Sequence, residues 1–132
     1  MFGKFLKKCD PAAHRSALGK WGEKQAEKHL RSLGLKTLTR NWRCNTGEID
    51  LVMVAPDRTL VFVEVKTRNE NPLTPPESAL TGAKKHHLAS AARYFLTAHN
   101  INNRPLRFDL VTVQLTAASR ANIEHHPNAF TA

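Results

Sequence analysis

Three ionisable residues, Asp50, Glu64 and Lys66, interrupt runs that are otherwise apolar and β-branched: Gly47-Glu48-Ile49-Asp50-Leu51-Val52 and Val61-Phe62-Val63-Glu64-Val65-Lys66-Thr67. Side chains alternate faces along a strand, so Glu64 and Lys66 share one face while Val63 and Val65 share the other. A carboxylate among Val, Phe and Leu carries a desolvation cost unless a cation or hydrogen bonds offset it. A second carboxylate on the neighbouring strand raises that cost, and a bound divalent metal relieves it. Two acidic oxygens, the Val65 peptide carbonyl and waters suit a hard cation such as Mg2+ or Mn2+. Lys66 would then orient or deprotonate the attacking water, or balance the charge of a scissile phosphate. That chemistry is metal-assisted hydrolysis.

Each of these residues also has a plainer reading. Asp50 follows a turn and could cap its amides, and an exposed strand often alternates charges as Glu-Xaa-Lys does. The run back to Leu60, apolar on both faces, marks instead a central buried strand with charges at its end. Glu48 shares the strand face of Asp50 and is a rival ligand, one pleat nearer the turn. Glu23 lies close to Gly19, Ala26 and Leu30 on a helical wheel, at the border of the packed face. Lys24, Glu27, Lys28 and Arg31 lie toward the outside and read as solvated charges. Lys84 begins near the buried face of a second helix, where its stem would cover the core edge. Asp109, between Phe108 and Leu110, reads as a structural partner for an arginine. The pairs His86-His87 and His125-His126 lack the spacing of a closed zinc site. Gly-rich phosphate loops and nucleophile-elbow motifs are absent.

The elements that must position these residues follow from periodicity. Ala12 to about Leu33 reads as a helix with Leu18, Gly22, Ala26, Leu30 and Leu33 on one face, stopped by Gly34. Leu35 to Arg43, Ile49 to Val54 and Thr59 to Thr67 read as strands, joined by turns at Asn45-Thr46-Gly47 and Ala55-Pro56-Asp57-Arg58. A polar segment from Arg68 to Glu77 carries Pro72, Pro75 and Pro76 and is long enough to be a functional loop. A second helix is expected from Ser78 to about His99 and a strand from Phe108 to Leu115. Beyond Ala117 the pattern is ambiguous, with Ile123-Glu124-His125 as a short edge strand. The order is αβββαβ, a mixed sheet flanked by helices.

The 132 residues, 41% hydrophobic, fit one domain, here 12–132, behind a loose basic arm at 1–11. Twenty Lys and Arg against eleven Asp and Glu give a net charge of +9, which favours a polyanionic partner, nucleic acid first. No apolar run approaches the ~20 residues of a spanning helix, and the start lacks the pattern of a secretory signal. Cys9 and Cys44 suggest no disulfide framework. The expectation is a cytoplasmic protein without a membrane partner.

Several motifs together resemble a known family. Gly19-Lys20-Trp21-Gly22-Glu23, Asn41-Trp42-Arg43, Gly47 to Val52 and Val61 to Arg68, extended by Lys84, Arg107-Phe108-Asp109 and Ile123 to Phe130, resemble the YraN family of small bacterial proteins. That family is similar to the PD-(D/E)XK nuclease superfamily, whose core is that of Holliday-junction resolvases and restriction endonucleases. The resemblance implies a restriction-endonuclease-like αβββαβ core with Glu23, Asp50, Glu64 and Lys66 as the catalytic set. Asp50, Glu64 and the Val65 carbonyl would hold one or two Mg2+ or Mn2+ ions, and Arg43, Arg68 and Lys84 would meet the nucleic-acid backbone. Ile49 stands where the superfamily has proline, a departure that touches no ligand. The implied function is an endonuclease on DNA, with branched and single-stranded DNA among the candidate substrates. Related enzymes often pair two sites, so a homodimer is compatible. The alternatives are a nucleic-acid-binding accessory protein that turns over poorly or only with a partner, and a structural ion-pair cluster in an interaction module.

Overall fold

The computed structural model describes residues 16–69 and 80–131. The expected basic arm, helix residues 12–15, Cys9 and most of the polar segment with Ser78 lie outside them. Helix α1 spans Ala17–Ser32 and starts where Ser16, extended at φ −63° and ψ 158°, accepts the Gly19 N–H on its hydroxyl at 3.0 Å. It ends in a Schellman turn. Gly34, left-handed at φ 97°, donates to Arg31 O, and the Leu35 N–H returns to Leu30 O, with Leu30 and Leu35 both in the core.

Five strands follow around a second helix: β1 Lys36–Cys44, β2 Gly47–Val54, β3 Leu60–Asn69, α2 Gly82–Ala98, β4 Leu106–Leu115 and β5 Ala121–Phe130. The sheet order is the chain order, antiparallel except for the parallel β3–β4 pair that α2 bridges. The mixed, helix-flanked sheet is the architecture the periodicity implies. Alternation divides the core in two. Val61, Val63 and Val65 pack under α1 with Ala26 and Leu30, while Leu60 and Phe62 pack under α2 with Leu88, Ala92 and Phe95. Helix α1 rests directly on β3: a Cβ at Gly22 would lie 1.9 Å from Thr67 Oγ1.

Two irregularities aim the second strand. Asn41 is left-handed at φ 52°, and β1–β2 pairing skips it and its opposite, Asp50. Alternation breaks there. Arg40 reaches Glu27 on α1, whereas Trp42, two residues on, stacks edge-to-face on Phe95 of α2. Strands β2 and β3 pair only from Leu51–Val63 to Val54–Leu60. Beyond that point β2 continues with β1 and β3 with β4, so the sheet forks. The next residues on the two prongs are Asp50 and Glu64.

Two expectations need correction. The C-terminal strand is ten residues rather than a short Ile123-Glu124-His125 segment. Its polar composition and Pro127 hide it, but an edge strand tolerates both. Glu27 is not a solvated charge. It is 9% exposed, accepts from Thr37 Oγ1 at 2.6 Å and Arg40 Nε at 2.8 Å, and ties α1 to β1. Burial alone would raise its pKa, but the hydrogen bonds from Arg40 and Thr37 and the charges of Arg40 and Arg31 reverse that and hold it below the usual value.

Asp109 is a structural carboxylate, as its flanking residues suggested. Its oxygens accept from Arg107 Nε and Nη2 at 3.0 and 3.1 Å and from Asn128 N at 3.0 Å, with His125 Nε2 2.7 Å away. Arginine on its own strand and two groups of β5 thus converge on one buried side chain, which fastens the edge strand.

Candidate active site

The fork opens into a cleft of about 460 Å³ at the N-terminal ends of both helices. Glu23, Glu48, Asp50 and Glu64 line it, with Lys66, Lys84 and Arg43 as its cations. Each arrives for a local reason. The Gly22–Thr67 contact sets Glu23 of α1 beside the end of β3. The Asn41 irregularity and the parting of the strands release Asp50 from the ladder. Its Oδ2 accepts the Val65 N–H at 2.8 Å, replacing the ladder bond that the fork removes. Glu64 continues the α2-facing side of β3, where the first turn of α2 presents Lys84, whose Nζ lies 3.1 Å from Glu64 Oε2.

Electrostatics single out Glu64. Its side chain is 7% exposed, and burial first, then the charge of Asp50, push its pKa up to about 7 against the pull of Lys84. Burial would lower the pKa of Lys84, but Glu64 foremost, with Asp50 and Glu48, raises it above the usual lysine value. The ammonium is therefore a full positive charge at neutral pH. Two carboxylates crowd one buried spot, and the Lys84 ammonium reaches it within ion-pairing distance.

The sequence candidates are not all placed alike. Glu23, Asp50, Glu64, Val65 and Lys66 meet at one cleft. Lys84 joins them through Glu64 rather than merely covering the core edge. Arg43 lines the cleft with its Nε 2.8 Å from Glu48 Oε2, while Arg68, half-buried on β3, is not among the lining residues. Ser16, Leu18, Gly19 and Thr67 also line the cleft. Of these, Ser16 falls inside the helix expected from Ala12; its extended backbone and capping hydroxyl start that helix at Ala17 instead.

Closed and open metal sites place different demands on this donor set. Among the described residues no three His, Cys, Asp or Glu side chains cluster closely enough to enclose a metal. A closed zinc cage does not fit. An open set of two carboxylates, a backbone carbonyl and water does, because Mg2+ keeps several waters and binds through one or two carboxylates. The crowding of Asp50 and Glu64 is what such an ion would relieve.

The model of the uncharacterised protein family UPF0102 matches residues 22–113, from the glycine under Thr67 into β4. The chain belongs to the UPF0102 family. It is 41% identical over 113 residues to the UPF0102 protein of Pelobacter propionicus, covering 85% of this chain and 81% of that one. The UPF0102 protein of Nitratidesulfovibrio vulgaris is 43% identical over 116 residues, 88% of this chain and 85% of its own. That of Beutenbergia cavernae is 41% identical over 111 residues, 84% and 93% of the two chains. The UPF0102 match contains every charged residue of the cleft and both helices, apart from the first turns of α1, and it stops short of β5. Among the described residues of this family member no helix is long and apolar enough to cross a membrane.

Proposed function

We propose that the cleft is the active site of a Mg2+- or Mn2+-dependent endonuclease hydrolysing phosphodiester bonds in DNA. One observation carries this reading: the fork brings Asp50 and the buried Glu64 together with more negative charge than Lys84 balances. Asp50, Glu64 and the Val65 carbonyl would hold the ion, which would lower the pKa of a bound water and offset charge developing on the phosphate. The Asp50–Val65 hydrogen bond ties the two prongs together and fixes these donors relative to one another. Lys66, half-buried on the same strand face as Glu64, would orient a water or take its proton. Glu23 closes the cleft from α1. Lys84 lies on the Glu64 oxygen and would offer a cation to a phosphate.

The Lys84–Glu64 pair also favours a second reading. A cluster that neutralises part of its own charge suits an accessory protein that binds nucleic acid without turnover. Cleavage of labelled single-stranded, duplex and four-way-junction DNA with Mn2+, Mg2+ or EDTA separates the two. Cleavage that needs metal and vanishes in Asp50→Asn supports the nuclease. Metal-independent binding without cleavage supports the accessory protein.

A further inference from the structure

The cleft offers a polyanion little positive charge of its own. Its lining sets four carboxylates against three cations, and one of those cations is paired with Glu48 and another with Glu64. A phosphodiester entering it finds no surplus of positive charge, so affinity for nucleic acid calls for cations elsewhere on the surface.

Helix α1 carries the surface that meets this need. Lys20, Lys24 and Lys28 recur every four residues, about 6 Å apart along the axis, with Arg31 one turn further, and all four are exposed. They occupy the side opposite Gly22, Ala26 and Leu30, which are buried against the sheet. The helix has two carboxylates, and the charge of Arg31, at the end of the row, acts on one of them. Glu27 is drawn aside to Arg40 and Thr37, and Glu23 is turned to the cleft. Its first turn has no acidic residue. Like charges four residues apart destabilise a helix, so the row works against the fold that displays it.

We infer that the Lys20-Lys24-Lys28-Arg31 face of α1 is a docking track for a nucleic-acid phosphate backbone, leading to the cleft. Continuity gives the direction, because Leu18 and Gly19, in the first turn of the same helix, line the cleft. A lipid surface fits less well. It would call for bulky apolar groups beside the lysines, and Trp21, the aromatic residue of this helix, packs against the core. The track reads no sequence, since lysines spaced along a helix face meet phosphates rather than base edges in this arrangement. It rests on the proposed function only for its destination; phosphate binding along α1 stands without catalysis.

The test is fluorescence anisotropy of a labelled duplex with the full chain in EDTA, titrated across salt concentrations. The variants are K20Q/K24Q/K28Q and, as a control of equal charge loss on exposed residues elsewhere, R58Q/R93Q/R120Q. The track variant should bind at least tenfold more weakly, with a log–log salt slope reduced by about two to three, roughly 0.9 for each phosphate left without its lysine. The control should change the slope by less than one. Equal losses in both variants, an unchanged slope in the track variant, or no duplex binding by the wild-type protein would each overturn the inference. EDTA removes chemistry from the measurement. A protein that never cleaves still reveals the track, and a track that fails leaves Asp50-dependent cleavage to be judged separately.

Discussion

Two buried carboxylate sites sit on the same sheet and are treated in opposite ways. Asp109, with its side chain fully buried, collects an arginine fork, a backbone N–H and an imidazole, so its acceptors are satisfied by three groups. Glu64 is almost as deeply buried, yet it faces Asp50, and the cation set against it is the half-exposed Lys84. The first arrangement holds strand β5 in place. The second crowds two carboxylates at a cleft with one half-exposed ammonium on Glu64, and that crowding is what separates a site that could do chemistry from one that supports the fold.

The contrast can be broken by experiment. Asp109→Ala should cost the most stability, on the order of 3–5 kcal/mol, because it strands buried donors. The thermal midpoint would drop by roughly 10 °C or more, read by differential scanning fluorimetry, while Mn2+ binding below the new midpoint persists. A midpoint within a degree or two of wild type would put the two sites on the same footing. Asp50→Asn and Glu64→Gln should do the reverse: cleavage falls by at least about 10²-fold, with the midpoint unchanged or raised as the repulsion is removed. Asparagine keeps the oxygen that accepts the Val65 N–H, so unfolding of this variant would favour a structural role for the cleft.

The pH response sharpens the distinction. Folded Glu64 keeps its proton to about pH 7 rather than 4.5, so this group lowers stability progressively as pH rises through that window, and the penalty is complete above it. Glu27 has the opposite sign. Its folded pKa is depressed, so its contribution is present above 4.5 and is lost as pH falls through the folded value. Because an ion at Glu64 must displace a proton, Mn2+ affinity measured by calorimetry should climb by up to about tenfold per pH unit between 6 and 7, then level off. A pH-independent affinity would remove Glu64 from the ligand set. The smallest effect belongs to Lys84→Met. Without an ammonium on the Glu64 oxygen, Mn2+ should bind severalfold more tightly at pH 8; weaker binding would make Lys84 part of the metal site rather than its competitor.

Much of this was legible in the chain. The buried run from Leu60 to Val63 with charges after it located the end of a central strand, and alternation put Glu64 and Lys66 on one face. What periodicity could not show were contacts made across elements. A helical wheel gives the angle of Glu27 but not the presence of Arg40 and Thr37 on β1. Nor does β-propensity foresee a left-handed Asn41 inside a strand, the irregularity that turns Arg40 and Trp42 to opposite faces. Strand β5 was obscured because its residues are chosen for an edge, not for burial on both sides.

The contact between Gly22 and Thr67 has a consequence for how the molecule can diverge. With no side chain between helix and strand, the separation of Glu23 from the end of β3 is fixed by backbone against side chain rather than by the volume of neighbouring residues. Substitutions that trim or enlarge the apolar layers can therefore accumulate, each with its own effect on stability, without resetting the width of the cleft. Site geometry and core composition become separately adjustable. Position 22 is the exception: any larger residue there would wedge the helix outward and alter both at once.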